Sequence, residues 1–155
     1  MKFLRTILLT LVAALALPAL AQDTSNMEIL RQKVKADKKL LVAQNMQLTE
    51  AEGKAFWPVY EAYQNDLQKL NQRLGKTIAD YADAYNKGPV AGETAKRLLN
   101  EALTIEEDEV KLKRAYVPKL EKALPAAKVA RYVQIENKIR AVIRYELAGA
   151  IPLVQ

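Results

Sequence analysis

Residues 47–64, QLTEAEGKAFWPVYEAYQ, contain the start of the longest helix that the sequence predicts. Thr49 and Glu52 have the spacing of a capping box, in which the hydroxyl accepts from a first-turn amide and the carboxylate accepts from the threonine amide. From Phe56 onward, apolar residues recur every three or four positions, which is the pattern of one helical stripe. A long helix is therefore expected from this start to the turn sequence NKGP at residues 86–89.

The only tryptophan of the chain, Trp57, directly precedes Pro58 inside this predicted helix. A proline has no amide hydrogen for the carbonyl four residues earlier, here that of Lys54, and its ring crowds that carbonyl. The sequence therefore predicts a kink near Pro58, or a split of the helix into a short cap segment and a long shaft. Two interpretations of Trp57 stay open: a packed anchor at the bend, or a residue that recognises a partner.

Two further helices are predicted after the turn. One follows an apolar stripe from Ala95 to Leu120 with Pro118 near its end, and the other begins at Pro125, since proline suits the first helical position. The apolar side of this last helix is predicted to comprise Val129, Tyr132, Ile135, Ile139, Val142, Ile143 and Leu147. Residues 151–154, IPLV, are expected to pack on the body or on a partner.

These stripes need a covering surface. The helix that starts at Thr49 is too long to lie inside a compact core of a chain of this size. Its apolar stripe must therefore pack on another long helix or on a second subunit. The expected fold class is all-α, an elongated helical hairpin of about four helices with long amphipathic arms. A homodimer is the expected assembly.

Residues 1–21 have the organisation of an export signal. Lys2 and Arg5 precede an apolar run of about a dozen residues, too short to span a bilayer. The small-x-small sequence Ala19-Leu20-Ala21 that follows is typical of a signal-peptidase site. Cleavage there would leave residues 22–155 as a single helical domain, and a bacterial periplasm is the expected location.

The composition narrows the function classes. The chain has 24 basic and 18 acidic residues, a formal net charge of +6, and neither histidine nor cysteine. On an exported protein this charge favours an anionic membrane surface or acidic proteins as partners, rather than nucleic acid. Disulfides, Ser-His-Asp triads and Cys-His pairs are excluded, and no phosphate-binding loop is present. We therefore expect no enzymatic activity and no cofactor.

The acidic run Glu106-Glu107-Asp108-Glu109 is the one segment that suggests a metal site. Consecutive helical residues point about 100° apart, however, so these side chains cannot converge on one ion. A solvated helix face is predicted instead, with i,i+4 ion pairs from Glu107 to Lys111 and from Glu109 to Lys113. No metal ligands are expected.

A basic amphipathic helix is predicted before residue 47, because Met27, Leu30, Val34 and Leu41 recur at helical spacing among lysines. As client- or partner-binding residues, the sequence suggests Lys35, Lys38 and Lys39 on this N-terminal helix, Arg131, Lys138 and Arg144 on the last helix, and Trp57. Affinity would come from apolar burial, and the charges would speed the encounter. The alternative is that these side chains only solubilise a scaffold.

Two helix starts share one pattern of residues. The first has Leu48-Thr49-x-Ala51 followed by Phe56 and Val59, and the second has Leu124-Pro125-x-Ala127 followed by Tyr132 and Ile135. The pair resembles the duplicated LTxxQ motif of the Spy/CpxP family of periplasmic stress proteins, small exported helical hairpins that form cradle-shaped dimers. Glu52 and Lys128 stand where the family motif has glutamine, and Pro125 replaces the second threonine.

The resemblance implies a function as well as a fold. It implies an ATP-independent chaperone that binds unfolded or stressed envelope proteins through a basic and apolar helical surface. The alternative that it implies is an envelope-stress adaptor or inhibitor that docks on a sensor domain. Some relatives bind zinc through histidine-rich segments, which this chain does not have.

Overall fold

The computed structural model describes residues 36–155. The chain divides into two compact units, Met1–Leu41 and Val42–Gln155. Of the first unit only residues 36–41 are described, and they are helical. The predicted export signal, its cleavage site and Lys35 lie outside the described residues, and a single domain over residues 22–155 stays a prediction.

Four helices make up the described chain, as the sequence predicts. Helix α1 covers residues 36–46, of which 42–46 belong to the second unit. It is followed by α2, Glu50–Tyr85, then α3, Gly92–Glu121, and α4, Ala126–Ala150. The fold class is therefore confirmed as an all-α helical hairpin, with α2 and α3 as the two arms. None of the described helices combines the length and the apolar character needed to cross a membrane.

Both ends of α2 are as predicted. The Thr49 hydroxyl accepts from the Glu52 amide at 3.3 Å, and the Glu52 carboxylate accepts from the Thr49 amide at 2.8 Å, which completes the capping box. The helix ends at Tyr85, and the turn that follows uses Gly88 with a φ of +128°. A residue with a side chain is strained at that φ, so the glycine is required there.

Helix α2 runs through Pro58 as one element of 36 residues, about 54 Å long at 1.5 Å per residue. The predicted alternative of a split into two segments is wrong, and a kink within the continuous helix stays a prediction. Phe56 and Tyr60, on either side of Pro58, are both buried in the same cluster of core residues. This shared packing holds the helix together across the missing hydrogen bond.

The main core lies where α2 begins, α3 ends and α4 begins. Its buried members are Val42, Met46, Phe56, Tyr60, Tyr63, Leu67, Tyr116, Leu120, Leu124, Val129 and Tyr132. Most of the aromatic rings meet edge to face, for example Tyr63 and Tyr116 with centroids 5.3 Å apart. Beyond Leu67 the arms bury few apolar side chains, chiefly Leu98 and Ile105.

Ion pairs connect the arms farther from this core. Arg73 on α2 lies between two carboxylates of α3, with Nε 3.0 Å from Glu101 and Nη1 2.8 Å from Asp108. Arg97 on α3 reaches back to Asp80 on α2 at 3.6 Å. The parts of α2 and α3 that lie away from the main core are therefore joined by charged contacts on one side. The apolar side chains on their other side remain available for further contacts.

The structure of α4 differs from the sequence prediction in two respects. Pro125 is the N-cap residue of α4 and not its first helical residue, so the helix begins one position later than expected. Val129 and Tyr132 are buried as predicted, but Val142 is 63% exposed and Ile143 is 43% exposed. The apolar stripe is left uncovered there because α4 contacts α3 through arginine–glutamate pairs beyond residue 136.

Candidate functional site

The two predicted helix starts lie against each other. Lys128, in the first turn of α4, places its ammonium 2.6 Å from the carboxylate of Glu52, in the first turn of α2. The same ammonium donates to the carbonyl of Gln47 at 3.0 Å. The Lys128 hydrogen bond, reinforced by the Thr49 amide, lowers the pKa of Glu52 below its ordinary value. The two residues that stand in place of the glutamines of the LTxxQ motif thus form one ion pair.

Other equivalent positions of the repeat also contact each other. Glu52 and Lys128 are 76 residues apart, and the same offset relates Phe56 to Tyr132, whose ring centroids lie 5.1 Å apart in an edge-to-face contact. An approximate two-fold relation between the starts of α2 and α4 would produce such self-matching contacts. The repeat therefore has a structural role, because it joins the two helix starts.

The Glu52–Lys128 pair gives a test of this junction. Glu52→Lys or Lys128→Glu should each lower the melting temperature, because each single change places like charges at contact distance. The double exchange should recover most of the loss, although a lysine at position 52 could no longer accept from the Thr49 amide. Melting followed by circular dichroism checks this, and additive losses in the double variant would show that the pair contributes nothing.

Trp57 lies beside this junction with its indole half-buried. Its ring makes edge-to-face contacts with Phe56 and Tyr60, at centroid distances of 5.0 and 5.3 Å. The fully buried ring is that of Phe56. Trp57 thus packs on the edge of the core, and part of its surface remains accessible to a partner.

The predicted binding residues of α4 do not share one surface. Arg131 Nη1 lies 3.5 Å from the Asn45 carbonyl, beside the C-terminus of α1, where a cation complements the helix dipole. Lys138 is exposed, seven residues farther along the same face of α4. Arg144 faces α3, at 3.7 Å from Glu106 and 3.5 Å from Glu109. Lys38 and Lys39 belong to the first unit and are helical.

The acidic run on α3 contains a buried carboxylate that the sequence prediction missed. The predicted pairs are present, Glu107 to Lys111 at 3.6 Å and Glu109 to Lys113 at 3.3 Å. Glu109, however, is only 3% exposed, so the prediction of a solvated face is wrong at this residue. Its position, four residues after Ile105, continues the buried side of α3, and this spacing was the signal available in the sequence.

Arg140 of α4 is the main partner of Glu109. Its Nε donates to the Glu109 carboxylate at 2.8 Å, its Nη2 contacts the same oxygen, and its Nη1 donates to the Asn71 side chain at 2.8 Å. Burial acts to raise the pKa of Glu109, but the Arg140 hydrogen bonds and the charges of Arg140 and Lys113 outweigh it. The pKa therefore lies below its ordinary value, and the carboxylate is ionised at neutral pH.

Glu136 of α4 is a second buried acid that the sequence prediction missed, and it faces α2. Gln64 donates to its carboxylate at 2.8 Å and to the Tyr132 hydroxyl at 3.2 Å. Burial, and then the charge of Glu136, raise the pKa of Tyr132. The phenol therefore stays protonated, and this network fixes the position of α4 on α2.

The distal arms of α2 and α3 and the end of α4 enclose an apolar groove of about 530 Å³. Its apolar lining comprises Leu74, Ile78, Tyr81, Ala95, Leu98, Leu99, Ala102, Ile105 and Leu147, with residues 151–154 along one side. Glu106, Glu109, Arg140 and Arg144 form a charged rim. A concave apolar surface with a few polar groups at its edge is typical of a binding site.

The chemistry of this groove suits binding. Its charged residues are already paired with each other across α3 and α4. Within residues 36–155, no group of three or more acidic side chains is arranged so that it could hold a metal ion. What the groove offers to a ligand is mainly apolar surface.

The fold and the groove define an all-α hairpin with an open apolar surface. Comparison with protein-family models, with curated proteins and with solved structures finds no match for this chain. The resemblance to the Spy/CpxP family therefore rests on the residues at the two helix starts and stays a prediction.

Proposed function

We propose that the protein is a non-enzymatic, ATP-independent chaperone that binds apolar segments of partly unfolded envelope proteins. The apolar groove between the distal arms and the end of α4 is the observation that carries this proposal. A periplasmic location and a homodimer are part of it, as the sequence suggests.

Exposed apolar side chains also occur outside the groove on the two helices that border it. Leu99 lines the groove and is 58% exposed, and Val110 on the same helix is 50% exposed. On α4, Val142 and Ile143 are 63% and 43% exposed. Single exposed apolar residues are ordinary, but a groove with such neighbours favours a surface that binds other proteins.

Charge supports the same proposal. Arg140 and Arg144 border the groove, and Arg131 and Lys138 lie on another face of α4. Paired charges at a rim keep an apolar surface soluble without a strong sequence preference, which suits a binder of many clients. The net positive charge would speed the encounter with acidic segments of a client.

The proposal predicts suppression of aggregation without ATP. Purified protein at stoichiometric ratio or below should reduce light scattering by two unrelated proteins, one reduced and one heated. Leu99→Ser should raise the concentration needed for half-suppression about five- to tenfold, because a leucine contact in the groove is lost. Leu103→Ser is the matched control, since Leu103 is a similarly exposed leucine of α3 outside the groove lining.

Two results would contradict this function. Equal effects of the two leucine variants would remove the groove from the activity. A lack of suppression with every client, together with stoichiometric capture of one sensor domain from the envelope, would favour the adaptor alternative.

A further inference from the structure

Residues 151–155 follow α4 and continue along the end of α2, in the same direction as that helix. Helix α4 closes with the Ile151 amide donating to the Leu147 carbonyl at 2.9 Å. The Tyr81 hydroxyl of α2 then donates to the Pro152 carbonyl at 2.9 Å, and Gln155 Nε2 donates to the Tyr85 hydroxyl at 3.1 Å. We name residues 151–155 the strap, and its residues 151–154 form one wall of the apolar groove.

Apart from Ile151, which is partly buried, the strap buries little apolar surface. Leu153 is 87% exposed and Val154 is 58% exposed, although both border the groove. Polar contacts to two tyrosines therefore contribute much of what holds the strap on α2. Hydrogen bonds of this kind are worth little in net terms when water competes for both partners.

From these contacts we infer that the groove takes an extended apolar peptide segment, and that the strap is a weak internal competitor for the same site. The inference rests on the proposed function and names the ligand class of that site. An incoming segment that inserted apolar side chains between α2 and α3 would bury more surface than the strap does. It would displace the strap from the hydroxyls of Tyr81 and Tyr85.

The hydrogen bonding explains why the ligand would be extended. Tyr81 donates to a backbone carbonyl, a group that every peptide presents irrespective of its sequence. A helical peptide uses its carbonyls internally, whereas an extended one leaves them available. An unfolded apolar segment therefore has the chemistry that the strap itself shows at this site.

Removal of the strap gives the first test. A fluorescein-labelled peptide that carries Ile-Pro-Leu-Val, the apolar sequence of the strap, is titrated with the intact protein and with a variant lacking residues 151–155. Fluorescence anisotropy should show binding to both, about three- to tenfold tighter without the strap, since the competitor is gone. The same peptide with serine in place of leucine and valine should bind more weakly to both proteins. Circular dichroism checks that the variant keeps its helices.

A second variant tests the shared hydroxyl. In the protein without the strap, Tyr81→Phe should weaken peptide binding about threefold or more, because the ring stays and only the donor is removed. Tyr145→Phe is the matched control, because Tyr145 is 79% exposed on α4 and does not line the groove. Equal affinities of the two variants would overturn the shared site.

The outcomes separate this inference from the proposed function. Weaker peptide binding after removal of the strap would overturn competition and make the strap a clamp. Suppression of aggregation without peptide binding would end the inference and leave the proposed function standing. Peptide binding without suppression of aggregation would contradict the proposed chaperone function and leave the peptide site in the groove standing.

Discussion

Replacing Phe56 with alanine is expected to lower the free energy of unfolding by about 4 kcal/mol, the usual cost of removing a fully buried phenylalanine ring. Phe56 is 0% exposed and contacts the rings of Trp57, Tyr60 and Tyr132, so its removal leaves a cavity between α2 and α4. Urea unfolding followed by circular dichroism measures the change, with an unchanged slope as the sign that the two-state transition is preserved.

Trp57 is the matched control for Phe56, since it is the adjacent aromatic residue and only half-buried. Trp57→Ala should cost about 2 kcal/mol, in proportion to the smaller area removed from water. A larger loss for Trp57 than for Phe56 would reverse the assignment of the core anchor. A Trp57→Ala variant as stable as the parent, but with weaker client binding, would make Trp57 a recognition residue.

The helices of this protein could be predicted because their signals are local. The capping box of Thr49 and Glu52 and the turn at Gly88 involve only residues close in the chain, and both are present in the structure. The split at Pro58 was a local prediction too, and it is wrong because packing of α2 on the rest of the core outweighs one lost hydrogen bond.

The groove and the buried acids could not be predicted in the same way. Glu109 continues the buried side of α3, but its partner Arg140 is on α4, 31 residues away. A single helix pattern assigns a face to each residue and does not say which helix covers it. The same limit applies to Arg131 and Arg144. The sequence pattern grouped them as one basic surface, but in the structure Arg131 contacts Asn45 and Arg144 contacts Glu106.

Replacing Glu109 with alanine should destabilise the protein by about 3 kcal/mol, at the lower end of the cost of breaking a buried ion pair. The reason is the charge left behind: the Arg140 side chain is 12% exposed and would keep only its Asn71 contact. Arg140→Ala should cost a similar amount. The double variant should cost clearly less than the two single losses together, because neither charge is then left unpaired.

The pH dependence of the Glu109 contribution follows from its lowered pKa. Because the folded-state pKa lies below the ordinary value of 4.5, the ion pair stabilises the protein fully above that value and is lost as the pH falls through the folded-state pKa. The difference in unfolding free energy between the parent and Glu109→Gln should therefore stay constant from about pH 7 to 5 and shrink below about pH 4.

Comparison with Glu107→Gln isolates this effect, since Glu107 is an exposed acid of the same helix with one lysine partner. If the difference between the parent and the Glu109→Gln variant stayed constant down to about pH 2, the Glu109 charge would contribute nothing to stability. The distal half of α4, which borders the apolar groove, would then be held there by other contacts.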